Sequence, residues 1–209
     1  MPEAPGIGQT VSISIVLPAR NESVSLDVLL PRLREAVSGA EIIIVNDGSS
    51  DSTEAISIKH NARVVSHPYS KGNGAAIKTG ARHAIGDILV FMDGDSQHGP
   101  EDISRLLAKL DEGYDMVVGS RDGTGQASRH RGMANAFYNR LASWMVGHEV
   151  KDLTSGFRVV RRDKFLEFLY LLPNGFSYPT TITMAFFRAG YAVAYEPIAV
   201  QRRMQGTTS

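Results

Sequence analysis

Two aspartates one residue apart, Asp93 and Asp95, follow directly on the apolar run Ile88-Leu89-Val90-Phe91-Met92. In a locally extended chain alternate side chains point the same way, so both carboxylates can aim at one point. Two neighbouring anions repel unless a cation separates them. Such a pair suits Mg²⁺ or Mn²⁺, which takes one or two carboxylates and completes its shell with substrate phosphate oxygens. The chain has no cysteine, so a metal can sit only on oxygen or histidine ligands. His98 and His67 could add a nitrogen ligand, although a lone histidine at a strand-to-helix turn is more often a hydrogen-bonded surface group. Asp-x-Asp is also frequent by chance, and aspartates commonly end strands as turn residues. By itself the stretch allows both a metal pair and the polar end of a buried strand.

The surrounding pattern decides how such residues are presented. Five short β-rich runs, "VSISIVLP", "EIIIVND", "ARVVSH", "DILVFMD" and "DMVVGS", alternate with helical patterns at 23–38, 52–60, 74–85 and 100–112. Continuous Ile/Val/Leu runs are characteristic of strands covered on both faces. Their alternation with helices predicts an α/β fold, a mostly parallel sheet with helices on both faces. At 209 residues and 43% hydrophobic, the chain suits a single domain of this kind. Ligands of such sheets bind beyond the carboxyl ends of the strands. Each strand here ends in a polar turn, which sets Arg20, Glu22, Asp47, Lys71, Asp93, Asp95 and Arg121 along one rim. Asp51, beside Ser52 and Thr53, reads instead as a helix cap.

After Arg121 the rhythm changes. "RDGTGQASRHRG" is a basic, Gly-rich loop long enough to suggest function. Met133, Phe137, Leu141 and Trp144 then recur at helical spacing and read as core packing. "TSGFRVVRR" reads as a strand, "DKFLEFLYLL" as a helix capped by Asp163, "PTTITMAFFRAG" as a helix bounded by Pro and Gly, and "YAVAYEPIAV" as a last strand. Charge divides along the same line. Residues 1–120 hold ten Lys/Arg against sixteen Asp/Glu, and residues 121–209 hold twelve against six. The second part is therefore suited to meeting an anion. "KGNGAAIKTG" fails the dinucleotide pattern at Ile77, and no P-loop signature occurs. Its glycines could offer backbone N–H groups to a phosphate or permit close packing. The N-terminal "MPEAPGIGQT" lacks the form of a secretory signal and reads as a flexible leader, residues 1–10.

In order, "PARNE", "NDGSSD", "KGNGAAIKTG", "DGDSQHGPED", "GSR", "DLTSGFR" and "RRMQGTTS" resemble the family 2 glycosyltransferases of GT-A (Rossmann-like) fold. The likeness is to the branch of dolichyl-phosphate mannose synthase and bacterial polyprenyl-phosphate glycosyltransferases, and covers residues 12–209. It implies an inverting, metal-dependent transfer from a UDP- or GDP-sugar to a polyprenyl or dolichyl phosphate. Carried over by position, Pro18, Arg20, Glu22 and Asp47 would contact the nucleoside, and Lys71 joins them as a donor-binding residue. Asp93 and Asp95 would face the metal-bound diphosphate, Asp95 as a catalytic residue. Arg121 and Arg131 would approach the acceptor phosphate, and Arg203 would clamp the donor phosphates. Asp152, Ser155 and Arg158 would line the reaction centre, Asp152 and Arg158 as catalytic residues and Ser155 toward the acceptor. Asp152 could instead be a general base for a hydroxyl acceptor, or orient a nearby arginine.

The resemblance further implies a donor, metal-binding half at 11–120 and an acceptor half at 121–209. The implied setting is the cytoplasmic face of a membrane, with a lipid phosphate and the membrane surface as partners, no nucleic acid, and oligomeric state left open. Many relatives carry an acid where this chain has "YPTTIT", and many continue into transmembrane helices beyond the last motif. The expectation is that a membrane anchor has been removed. Transfer to a saccharide hydroxyl, or a non-catalytic nucleotide-binding module, are the rival readings.

Overall fold

The computed structural model describes residues 11–94, 99–121, 139–144 and 147–199. Its strands are β1 (Ile13–Ala19), β2 (Glu41–Asn46), β3 (Arg63–Ser66), β4 (Ile88–Phe91), β5 (Met116–Arg121), β6 (Arg158–Arg161) and β7 (Val193–Ile198). They form one seven-stranded sheet in the order β3-β2-β1-β4-β6-β5-β7. β6 alone among them runs antiparallel, to β4 on one side and β5 on the other. The expected mostly parallel α/β sheet is thus present.

Both faces of the sheet are dry. Ile15, Leu17, Ile42, Ile44 and Val90 point to one side, where α1 (Ser23–Ala36) and α4 (Asp102–Asp111) cover them. Val16, Ile43, Val45, Leu89 and Phe91 point to the other, under α3 (Asn73–His83), α5 (Arg162–Glu167) and α6 (Tyr178–Ala189). α2 (Thr53–Lys59) adds Ile56 to the first side. This two-sided burial is why the strands read as unbroken apolar runs and not as alternating ones.

Packing also overrides local propensity. α1 continues through Pro31, whose missing N–H and ring clash cost about 3 kcal/mol in a helix interior. Leu26, Leu29, Leu30 and Leu33 are fully buried on its inner face, each contributing about 2 kcal/mol. Their burial outweighs the proline, so the helix holds. At the other extreme, the "PTTITMAFFRAG" reading is matched closely. Pro179 lies in the first turn of α6, and Gly190 closes it in the left-handed conformation at φ 80°.

Two expectations need correcting. Asp163 is not a cap: α5 starts at Arg162, so Asp163 sits in its first turn, facing the positive helix end. Helical residues 139–144 do not bury the expected stripe either. Leu141 and Trp144 are exposed, and Ala142 is the residue that packs inward, with Val150 and Leu153. Met133 and Phe137 lie outside the described residues, as does the leader 1–10. Among the described residues no helix is long and apolar enough to cross a membrane.

Candidate active site

The rim begins where β1 and β2 end side by side, with Ala19 paired to Asn46. Asn21 adopts a left-handed φ of 55°, which a short amide tolerates. Its side-chain oxygen accepts from the Ser50 N–H at 2.8 Å, and its own N–H donates to Ser49 Oγ at 3.0 Å. Asp51 ties the same two loops together. It accepts from the backbone N–H of Ser23 and of Thr53, the first residues of α1 and α2, so its capping role extends to two helices. Arg20 is exposed here. Glu22 is buried and accepts from Ser25 Oγ at 3.0 Å.

Asp47 is the hub of this side. It is 5% exposed, and its carboxylate accepts from the Lys71 N–H at 2.8 Å, the Gly72 N–H at 2.9 Å and Ser70 Oγ at 2.8 Å. His67 Nδ1 lies 2.7 Å from the same carboxylate, while its Nε2 lies 2.9 Å from Thr79 Oγ1. Burial pushes the Asp47 carboxyl up, but these hydrogen bonds prevail and hold it below the usual aspartate range. Asp47 therefore fastens the loop 69–72 to the end of β2, with both oxygens occupied by the chain itself. His67 is consumed by the same network and is not a metal ligand. Gly48 makes the closure possible: at φ 68°, a Cβ there would strike the backbone of Tyr69 and Ser70.

The "KGNG" glycines have a packing role. A Cβ on Gly72 or Gly74 would overlap the carbonyl oxygens of Asn174 and Pro173. The Ala75 N–H donates to Asn174 O at 3.1 Å, and Lys78 Nζ reaches Leu172 O and the Asn174 side chain. Of the two readings of this stretch, close packing is what the fold uses. The Lys71 side chain stays exposed, its ammonium 5.7 Å from the Tyr69 ring centroid.

The other side of the rim depends on the antiparallel strand. Phe91, last in β4, pairs with Arg158, first in β6, and Arg158 also pairs with Val118 of β5. The chain leading into β6, residues 152–157, is thereby set beside the exit of β4 at 92–94 and the end of β5 at Arg121. Asp152, 6% exposed, binds the Arg121 guanidinium through both oxygens, at 2.8 Å from Nε and 2.9 Å from Nη2. It also accepts the backbone N–H of Thr154 and of Ser155, each at 3.1 Å. Thr154 Oγ1 takes a further bond from Arg121 Nη2 at 2.6 Å. Burial raises the Asp152 carboxyl, but Arg121 and the N–H donors outweigh it and hold it ionised, below its ordinary value. An anion so engaged orients an arginine. It is not poised to take a proton.

Arg158 lies deeper than expected. Its side chain is fully buried, donating to Pro179 O and Thr183 Oγ1 at 3.3 Å and to Ser155 O. The acceptors among these contacts are neutral oxygens, and burial pulls its pKa below the usual arginine value. Its charge still acts on Asp93 and Asp152 at range. Arg158 is thus a fixed cation behind the rim, not a group on its surface. Ser155 is buried too, with Oγ lacking a hydrogen-bond partner.

Asp93 is partly exposed at the β4 exit, within electrostatic range of both Arg121 and Arg158. Its carboxylate rests over Gly156, where a Cβ would come to 3.2 Å from Oδ2. Asp95, His98, Arg131 and Arg203 lie outside the described residues. Among the described residues no cluster of three or more His, Asp or Glu side chains could hold a metal by itself. The sequence reading passed over Asn21, Gly48, Gly156 and Tyr178. Only the first two carried a local signal, an Asn and a Gly at strand ends.

The family model for glycosyl transferase family 2 matches residues 14–169, which span β2 to β6 and all of β1 but its first residue. The chain belongs to that family. Undecaprenyl-phosphate 4-deoxy-4-formamido-L-arabinose transferases of Salmonella paratyphi B and Salmonella newport are 38% identical to it over 128 residues, 58% of this chain. The match spans 39% of the length of those relatives. Among solved structures, glucosyl-3-phosphoglycerate synthase from Mycobacterium tuberculosis in complex with Mn²⁺, UDP and phosphoglyceric acid is similar at TM-score 0.77 and 25% identity, over 95% of this chain and 72% of that one. The same synthase with Mn²⁺, UDP and glucosyl-3-phosphoglycerate gives 0.75 and 27%, over 95% and 74%. The fold of this family 2 chain is the GT-A arrangement the motifs implied.

Proposed function

We propose that this domain is an inverting glycosyltransferase that moves a sugar from a UDP- or GDP-sugar to a polyprenyl phosphate at the membrane surface. The observation that carries it is the Asp152–Arg121 pair beside Asp93. The Asp152 carboxylate is spent on aiming a cation at the rim and not on serving as a base. An acceptor that is already an anion needs such a cation and positioning, not deprotonation. A hydroxyl acceptor would need the base that Asp152 does not offer. The names of the Salmonella relatives, which act on undecaprenyl phosphate, support the same choice.

In this reading Pro18, Arg20, Glu22 and Lys71 face the nucleoside, and Asp47 shapes that wall by anchoring the loop 69–72. Asp93, with Asp95, would hold Mg²⁺ or Mn²⁺. The fit rests on an all-oxygen donor set and on the hollow over Gly156 that seats the Asp93 carboxylate. Such an ion, when bound, stabilises the charge that develops on the leaving diphosphate. Arg121 and Arg131 draw the acceptor phosphate in, with Ser155 buried in the segment that carries Asp152. Arg203 steadies the donor phosphates. Arg158 adds a buried positive field that favours the accumulating negative charge and costs no rearrangement during reaction. Apart from Arg203, the donor and metal residues come from 11–120 and the acceptor residues from 121–209.

The test is transfer of radiolabelled sugar from UDP- and GDP-sugars, with Mn²⁺, to polyprenyl phosphate or to an oligosaccharide. Metal-dependent labelling of the lipid phosphate is the expected result. Labelling of the oligosaccharide alone would move the acceptor assignment to a hydroxyl. Nucleotide binding without transfer to either would leave a binding module.

A further inference from the structure

Gly156 sits in the one stretch of the rim that three elements share. It is carried beside β4 by the antiparallel lead-in to β6, and the hydroxyl of Tyr178, from the start of α6, lies 3.5 Å from its carbonyl oxygen. A Cβ built on Gly156 would stand 3.2 Å from Asp93 Oδ2, 3.6 Å from Asp93 Oδ1 and 3.5 Å from Tyr178 Oη. The first of these is closer than ordinary van der Waals contact. Tyr178 is 2% exposed and packed in the core, so of the two neighbours the partly exposed Asp93 side chain is the one with room to give. Gly156 has none of the left-handed φ values found at Gly48 or Gly72, so its backbone does not call for glycine. What calls for it is the space above its Cα.

We propose that Gly156 is a positioning residue for the metal-facing carboxylate: by lacking a side chain it sets the height and tilt of Asp93 over a floor of Gly156 and Tyr178. The inference rests on the reading of Asp93 as a metal ligand. Any side chain at 156 must lift the carboxylate by a few tenths of an ångström or rotate it. Groups that orient a metal ligand typically change affinity 10–100-fold when altered, and the smallest possible side chain should act at the low end.

The experiment is Mn²⁺ titration by isothermal calorimetry in the presence of UDP, repeated with GDP, on the wild-type chain and on Gly156→Ala, Asp93→Asn and the double variant. Gly156→Ala is expected to weaken Mn²⁺ by about 10-fold, and to do nothing further in the Asp93→Asn background, because both act through one carboxylate. Equal Mn²⁺ affinity for Gly156→Ala and wild type would overturn the proposal, as would additive losses in the double variant. If Asp93→Asn itself leaves Mn²⁺ binding unchanged, the metal-ligand reading fails instead, which keeps the two failures apart. Asp93→Glu serves where Gly156→Ala does not fold. It keeps the charge but overshoots the hollow, so a loss of about 10-fold is expected, and wild-type affinity would overturn the proposal.

Discussion

Each side of the rim buries an aspartate and satisfies it completely, yet with different donors. On the β1–β2–β3 side Asp47 collects two backbone N–H groups, a hydroxyl and a histidine, and its effect ends at the loop it fastens. On the β4–β6–β5 side Asp152 collects the Arg121 guanidinium, which is itself 40% exposed. Behind it stands Arg158, a buried cation with no carboxylate among its hydrogen-bond partners. The first arrangement spends an anion on framework. The second spends one on orienting a positive group, in front of a further, buried positive charge. Two buried, ionised aspartates thus hold a loop in one place and a rim arginine in the other.

The sharpest way to break the comparison is at the seam that joins the two sides. Gly74→Ala would normally favour a helix, by up to about 1 kcal/mol. Here its Cβ would overlap Pro173 O, so destabilisation of about 3 kcal/mol is expected, read as a lower urea midpoint. A neutral or stabilising outcome would mean the loop 173–175 yields and the sides are not rigidly joined.

Asp47→Ala should come close to that in size. It strands buried donors of the loop 69–72, for about 2–3 kcal/mol of stability. Donor KM should rise with it, measured on the folded fraction. Arg121→Ala should weigh the other way: a loss of about 1–3 kcal/mol, because Asp152 stays buried with hydroxyl and N–H donors alone, and transfer to polyprenyl phosphate down by about 100-fold. If Arg121→Ala unfolded the protein while leaving the surviving activity intact, the division between scaffold and receptor would be lost.

The smallest effect is in acid. Asp47 and Asp152 both titrate below their ordinary value in the folded chain. Each therefore contributes stability that is complete above the unfolded pKa of about 4 and is lost as pH falls through the lower folded value. Asp47→Asn should flatten the fall in urea midpoint between about pH 5 and about pH 3 relative to wild type. An unchanged slope would show that Asp47 is not held ionised by its donors.

Much of this was legible in one dimension because it depends on local chemistry. Unbroken apolar runs announce strands covered on both faces, Pro179 and Gly190 bracket a helix, and polar turns after strands mark the rim of a parallel sheet. Seven motifs in order carried the family. What the sequence could not express was which residues the rim would use up. That Asp47 is closed off by residues 67–72, and Asp152 by Arg121, depends on distances across 20 to 31 positions of chain. The antiparallel insertion of β6 between β4 and β5 decided the rest. It reverses the direction of β6, so the residues that precede Arg158, and not those that follow it, lie beside Asp93. Arg158 is thereby buried and Gly156 placed beneath the carboxylate. Periodicity shows that a strand exists; only the closing of the sheet, where long-range pairing and two-sided burial are satisfied together, fixes its neighbours and its direction.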